Sequence, residues 1–150
     1  MAYELTILGD EKEYKDLFES LYCNPLNPIF TFDGIRVVFY NDKFERSFYR
    51  SSNWEKRDKN VFSVERAQRI TWIKDALLDK SADLREGWDR DTKTYDDTRR
   101  VAIVVKDYVV VIRIQNSKTA KFITAYVADS DALKKLVKSP IWSVNKKDAD

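Results

Sequence analysis

The first part of the chain carries apolar residues at helical spacing. Between residues 11 and 22 they recur three and four positions apart, which is the pattern of an amphipathic helix with one buried side. These residues are Tyr14, Leu17, Phe18, Leu21 and Tyr22. The pattern stops before Pro25, which cannot continue a helix. We therefore expect a helix from Glu11 to Tyr22.

A second, shorter helix is predicted after residue 42. Asn41 or Asp42 can cap a helix that runs from Lys43 to about Arg50, and the spacing turns Phe44 and Phe48 inward. The polar stretch 51–60 is then predicted to connect this helix to the next one.

The longest predicted helix runs from Val64 to about Leu78. Ser63 is a suitable N-cap, and Glu65 in the first turn suits the positive end of the helix dipole. Since neither glycine nor proline interrupts the segment, we expect one continuous helix.

Strand patterns occur both before and after these helices. An early hairpin is predicted at residues 29–32 and 35–40, around the turn Asp33–Gly34. The later strands are predicted at residues 85–88, 99–106, 108–115 and 121–128. The second and third of these are joined by only Lys106–Asp107, so they must pair antiparallel. Asp129 or Ser130 then caps a last helix that ends near Val137.

Helices followed by an antiparallel meander predict the α+β class. The expected architecture is N-terminal helices packed on a four-stranded antiparallel sheet, with a short C-terminal helix. We expect residues 1–143 to form one domain with an N-terminal helical and hairpin extension, and residues 144–150 to form a loose tail.

Composition supports a single ordered domain. The 150 residues include 43% apolar residues, enough for one core, and only three glycines and three prolines. No apolar run approaches the roughly 20 residues that cross a bilayer, so no membrane association is expected. A single cysteine, Cys23, and an N-terminus without signal-peptide features favour a cytoplasmic location.

The net charge of +2 hides an uneven distribution. Residues 43–74 contain nine Lys or Arg and four Asp or Glu. This local basic excess suits a phosphate backbone, although a solvated surface explains it equally well.

The sequence contains no histidine. A Ser-His-Asp triad, a Cys-His dyad and a histidine-based zinc site are therefore excluded, and one cysteine is too few for a cysteine-based zinc site. The three scattered glycines do not form a phosphate-binding loop. Acid pairs such as Asp89/Asp91 could hold Mg²⁺, but solvated surface explains them better, and we expect no metal or cofactor. Arginine, lysine, tyrosine and threonine remain as candidate functional groups, and all of them suit anion recognition.

Two arginines stand out in the long helix. At about 100° per residue, Arg66 and Arg69 lie about 60° apart with Ile73 between them, so both lie beside apolar surface. Such a position is costly unless a phosphate or a carboxylate meets the guanidinium groups. An internal salt bridge is as plausible as a bound phosphate.

Strand alternation points to a second group of residues. In the last strand it places Ile123, Ala125 and Val127 on one face, which we expect to be core, and Phe122, Thr124 and Tyr126 on the other. Thr124 and Tyr126 would then project together, and Arg113 of the neighbouring strand could share their polar face. The alternative is that threonine and tyrosine occur here only because they favour strands.

Several segments together resemble a known nuclease family. They are FSVERAQRITWIKDALL, LREGWD, RRVAIVV, YVVVIRI and AKFITAYVAD. In this order they resemble the phage-associated nuclease-like domains of the barnase, EndoU, colicin and RelE group, known as the BECR fold. The resemblance spans about residues 39–142, and its most specific pieces are the R-x-x-R-I-x-W-I helix and the strand ending T-A-Y.

The resemblance implies metal-independent RNA cleavage in a cleft between helix and sheet. The ribose 2′-OH would attack the adjacent phosphate and leave a cyclic phosphate. Arg66 and Arg69 would neutralise the developing charge, Thr124 would donate a hydrogen bond, and Tyr126 would stack on a base or orient a proton. The remaining candidate residues would bind substrate: Lys59, Trp72 and Arg113.

One position departs from the family pattern. Relatives carry histidine in an F-E-H-x-F-Y context, whereas FERSFY places Arg46 there, and arginine cannot act as a base near neutral pH. Proton transfer could have passed to Lys59, Glu65 or Tyr49, or transition-state electrostatics could suffice. Alternatively, the chain could bind without cleaving, or be an inactivated variant of a toxic enzyme.

The leading hypothesis is a metal-independent endoribonuclease domain of prophage or toxin type. Its partners would be RNA, with tRNA as one candidate, and an antitoxin or host protein. The first alternative is a catalytically silent module of the same fold that binds RNA or protein. The second is a phage structural or host-interaction protein, with Trp54, Trp88 and Trp142 as interface anchors.

Overall fold

The computed structural model describes residues 3–50, 61–89, 94–139 and 141. In this part of the chain the helices are α1 (Glu11–Tyr22), α2 (Lys43–Phe48), α3 (Val64–Ala67), α4 (Trp72–Leu78) and α5 (Ser130–Val137). The strands are β1 (Ile29–Phe30), β2 (Arg36–Val38), β3 (Tyr49–Arg50), β4 (Val61–Phe62), β5 (Asp83–Asp89), β6 (Thr94–Val105), β7 (Tyr108–Ile114) and β8 (Thr119–Val127). The predicted α+β class is confirmed.

Local capping explains where the predicted helices begin. The carboxylate of Asp10 accepts a hydrogen bond from the Glu13 amide at 2.9 Å, and that of Asp129 accepts one from the Ala132 amide at 2.8 Å. Both satisfy amides that a helix leaves unpaired in its first turn. The predicted bounds of α1 are confirmed.

The predicted continuous helix from Val64 to Leu78 is wrong. Residues 68–71 form turns that separate α3 from α4. In this segment the amides of Arg69, Ile70 and Trp72 bond to carbonyls three residues earlier, at 2.9–3.1 Å. This tighter winding changes the directions of the side chains, so the predicted 60° angle between Arg66 and Arg69 does not apply.

The main sheet has six strands instead of the predicted four, in the order β1-β2-β8-β7-β6-β5. The meander β5 to β8 is antiparallel throughout, which confirms the hairpin at Lys106–Asp107. The predicted early hairpin extends this meander, because β2 pairs in parallel with β8. The prediction failed because the hairpin was treated as a separate unit.

A bulge in β8 changes which residues share a face. Ile112 lies opposite Phe122, but Val111 lies opposite Thr124, so Ile123 is the extra residue. Phe122 and Ala125 are both fully buried in the main core, whereas Ile123 packs on the other face. The predicted grouping of Phe122 with Thr124 and Tyr126 is therefore wrong, because alternation is shifted by one residue at the bulge.

Both faces of the sheet are covered, but unequally. The main core lies between the sheet and α1 to α4, and the ring of Phe18 contacts the rings of five other aromatic residues there. A smaller second cluster packs Val109 and Val111 against Leu133 and Leu136 of α5. The sheet is thus the central layer between two helical layers.

Beyond Phe48 the chain turns extended instead of continuing the predicted helix to Arg50. Tyr49 has φ −102° and ψ 148°, and β3 pairs antiparallel with β4. The predicted connection 51–60 and tail 144–150 lie outside the described residues.

None of the helices within the described ranges has the length and apolar character required to cross a membrane.

Candidate functional site

Arg66 is fixed at the start of α3 by two neighbouring elements. Its backbone amide donates to the Ser63 hydroxyl at 3.3 Å, which is the N-cap bond of α3. Its Nη1 donates to the carbonyl oxygen of Tyr49 in β3 at 2.8 Å. The half-buried guanidinium is therefore held between α3 and the small β3–β4 ribbon.

Arg69 lies in the turn between α3 and α4, where its side chain covers Trp72. The guanidinium carbon is 5.1 Å from the centroid of the Trp72 ring, a cation–π geometry. Its Nη1 donates to the Glu65 carbonyl at 2.8 Å. Its Nε is closed to solvent and has no hydrogen-bond partner within the described ranges.

Trp72 forms the floor of this region and is only 7% exposed. Its Nε1 donates to the carbonyl of Glu4 at 3.0 Å, and the Tyr3 ring meets it edge to face at 5.4 Å. The N-terminal segment thus lies across the tryptophan, and the ring is not open to a nucleic-acid base in this arrangement. The role of Trp72 in substrate binding stays a prediction.

Tyr108 is the residue that sequence reasoning missed. Its ring is fully buried and meets Trp72 edge to face at 5.5 Å, yet its hydroxyl has no hydrogen-bond partner among the residues that the structure describes. Burial raises the pKa of this phenol, against the opposing positive charges of Arg69 and Arg66. Tyr108 alternates with Val110 on an apolar strand face, and a tyrosine in such a position normally indicates only core packing.

Tyr126 lies on the other face of the sheet, where it is half-buried against the second cluster. Burial raises the pKa of its phenol, and the charge of Arg66 opposes this effect. The positive charge of Arg66 thus opposes the rise in the pKa of both Tyr108 and Tyr126. We call Arg66, Arg69, Trp72 and Tyr108 the arginine cluster, and Tyr126 lies on the opposite face of the sheet from Trp72 and Tyr108.

Thr124 and Arg46 contact each other where α2 meets β8. α2 packs against β8, and the Thr124 hydroxyl donates to the backbone carbonyl of Arg46 at 3.3 Å. The structure thus joins the two residues through the backbone of Arg46, whose side chain is exposed. Whether either residue acts on a substrate stays a prediction.

Arg113 is not placed beside the arginine cluster. Arg113 lies five positions along β7 from Tyr108, which corresponds to about 17 Å of extended strand. Lys59 lies outside the described residues. Tyr49, one candidate for proton transfer, donates a hydrogen bond to Glu11 that raises its pKa to about 12.

The charge of Arg69 is the most informative feature of the site. No carboxylate lies within ion-pair distance of it in the part of the chain that the structure describes. A partly desolvated cation without a counter-charge is costly, and the adjacent unpartnered phenol adds to that cost. The arrangement therefore suits an incoming anion.

Comparisons of the chain with known protein families, with curated proteins and with solved structures found no match.

Proposed function

We propose that this domain binds RNA at the arginine cluster and cleaves it without a metal ion, as an endoribonuclease of prophage or toxin type. The observation that carries the proposal is the uncompensated charge of Arg69 over Trp72. Phosphate oxygens would supply the missing negative charge and accept from the guanidinium N–H groups. RNA is the phosphodiester whose own 2′-OH can act as the nucleophile.

In the proposed reaction the 2′ oxygen attacks the adjacent phosphorus as the bond to the 5′ oxygen breaks. The products are a 2′,3′-cyclic phosphate and a 5′-OH, which takes up a proton, while the 2′-OH gives one up. Arg66 and Arg69 would stabilise the charge that develops on the phosphorane. Tyr126, whose raised pKa keeps it protonated near neutral pH, would donate a hydrogen bond.

The proton acceptor is the part of this reaction that the arginine cluster does not supply. The phenols of Tyr108 and Tyr126 have raised pKa values, and arginine stays protonated. Under this proposal the acceptor is Lys59 or Glu65, unless electrostatic stabilisation suffices. Because the arginine cluster supplies no proton acceptor, a second candidate function is also favoured. It is a catalytically silent module that binds RNA at the same residues.

A cleavage assay in EDTA separates the two functions. Wild-type protein is incubated with end-labelled single-stranded RNA, and the fragments are tested for cyclic phosphate ends. Cleavage that is lost in Arg69→Met and Tyr126→Phe, but kept in the control Lys80→Met at an exposed lysine, supports the nuclease. Salt-sensitive binding without fragments supports the silent module. Absence of both binding and cleavage overturns both functions.

The variant Arg46→His tests the departure from the family pattern. If the chain binds RNA without cleaving it because the imidazole was lost, this variant gains cleavage with a pH optimum near the pKa of histidine. A variant that binds equally well and still does not cleave would contradict that explanation.

A further inference from the structure

The end of the sheet that α5 does not cover carries a group of basic residues. Val37 and Ala120 are Cα partners in the β2–β8 ladder, and both are buried in the main core. Their neighbours Arg36 and Lys121 therefore point to the opposite face, which is the face that α5 covers elsewhere. Both are exposed, as is Lys118 in the turn before β8.

Arg113 joins this group from the next strand. It is the Cα partner of Lys121 in the β7–β8 ladder, and it shares a face with Val111 of the second cluster. We call Arg36, Arg113, Lys118 and Lys121 the basic sheet end.

The exposed cations of this surface lack internal counter-charges. Among the described residues none of Arg36, Lys118 and Lys121 forms an ion pair. Their backbones lie close together, since the Arg36 amide donates to the Lys118 carbonyl at 2.9 Å. These three exposed side chains therefore give the surface a local excess of positive charge.

An aromatic ring stands beside these cations. Tyr40 is 46% exposed, and Lys121 Nζ lies 5.7 Å from its ring centroid. Cations interleaved with an exposed aromatic ring on a sheet suit a single nucleic-acid strand, because phosphates meet the cations and a base stacks on the ring. An acidic protein segment would use the charges but would not need the ring.

We propose that the basic sheet end binds the backbone of single-stranded RNA outside the scissile phosphate. This inference rests on the proposed function and extends it to a substrate longer than a dinucleotide. Lys121 lies five positions along β8 from Tyr126, which corresponds to about 17 Å. A dinucleotide whose phosphate accepts from Tyr126 does not reach that far, whereas a longer strand does.

The test compares two double variants on RNAs of two lengths. Lys118→Gln/Lys121→Gln removes two charges from the basic sheet end, and Lys15→Gln/Lys80→Gln removes two exposed charges elsewhere. Fluorescence anisotropy gives the affinity for a labelled strand of about 16 nucleotides, within the range that single-strand binders cover, and for a dinucleotide. A third variant, Tyr40→Leu, probes stacking.

We expect the first double variant to bind the long strand roughly tenfold more weakly. The slope of log affinity against log salt should become less steep by about 1.4, since each lost phosphate contact removes about 0.7. Tyr40→Leu weakens the same binding by about fivefold or more. Dinucleotide binding stays unchanged in both, and the control double variant behaves like wild type.

Three results would overturn the inference. In the first, Lys118→Gln/Lys121→Gln binds the long strand with the affinity and salt slope of wild type, while Arg69→Met still binds more weakly. That result leaves the proposed function standing. The second is competition by oligoglutamate as strong as that by RNA, which would identify binding of any acidic polymer. The third is wild-type protein that binds no RNA, which overturns the proposed function as well. If only the first double variant binds RNA more weakly and Arg69→Met binds like wild type, the result supports RNA binding at the basic sheet end and contradicts RNA binding at the arginine cluster.

Discussion

The guanidinium of Arg69 lies over the indole of Trp72, 5.1 Å from the ring centroid, and its Nε is buried without a hydrogen-bond partner. The contact places a cation on an aromatic surface that the protein has closed to solvent on its other sides. Part of the Arg69 charge is desolvated without compensation, and this lowers the stability of the fold. An anionic ligand would supply the missing counter-charge, so the geometry suits binding of an anion.

Arg69→Met should separate stability from binding. Methionine keeps apolar contact with Trp72 and removes the desolvated charge, so the free energy of unfolding should stay unchanged or rise by about 1–2 kcal/mol. RNA affinity should fall about tenfold, because a charge-assisted phosphate contact is lost. Urea unfolding and RNA titration check the two effects. A loss of more than about 2 kcal/mol would show that the charge stabilises the fold.

Two buried tyrosines provide a matched pair of substitutions. Tyr108 has no partner for its hydroxyl, whereas the Tyr22 hydroxyl donates to the Ile70 carbonyl at 2.5 Å. Tyr108→Phe should therefore leave stability unchanged or raise it slightly, and Tyr22→Phe should lower it by about 1–3 kcal/mol. Chemical denaturation of both variants checks the contrast. Equal losses would indicate that Tyr108 has a hydrogen bond in solution.

Alkaline pH should destabilise the fold. Among the described residues, the fold raises the pKa of these phenols above the ordinary value of 10: Tyr3, Tyr22, Tyr49, Tyr108 and Tyr126. Above about pH 10 the unfolded chain loses these protons before the folded chain does, so stability is full below that pH and falls as the pH rises.

Each fully buried phenol should contribute a slope of up to about 1.4 kcal/mol per pH unit above about pH 10. Unfolding measured at about pH 8 and about pH 11 gives the total loss. Tyr108→Phe should reduce this loss, since it removes one buried phenol. An unchanged pH dependence in that variant would show that Tyr108 titrates normally.

The bulge in β8 can be tested by substitution of two adjacent residues. Phe122 is fully buried and stacks on Phe39 with ring centroids 4.6 Å apart, whereas Ile123 is half-buried on the other face. Phe122→Ala should cost about 3–5 kcal/mol, and Ile123→Ala clearly less. The reverse order of losses would restore the simple alternation expected from the sequence.

Local signals in the sequence were sufficient for several elements. The period of three and four and the Asp10 cap define α1, and the two-residue connection before Tyr108 determines the antiparallel pairing of β6 and β7. These features depend on neighbours within a few positions. These features can therefore be predicted from the sequence.

Other features depend on distant contacts and could not be predicted in this way. The bulge at Ile123 leaves no trace because Phe122 and Ile123 are both apolar, and the turns at residues 68–71 contain neither glycine nor proline. At the candidate site, helical spacing predicted that Arg69 lies beside apolar surface, and it lies over Trp72, although the continuous helix behind that prediction is wrong. The unpartnered hydroxyl of Tyr108 was not predictable, since tyrosine in an apolar strand normally indicates packing.

The parallel pairing of β2 with β8 also constrains how the chain acquires its structure. Val37 and Ala120 are ladder partners although 83 positions separate them in the sequence. During synthesis the early hairpin must wait until most of the chain has been made before its neighbouring strand exists. Because closing such a long loop is slow and its entropy is lost before the contacts form, attachment of this hairpin should be a late step in folding.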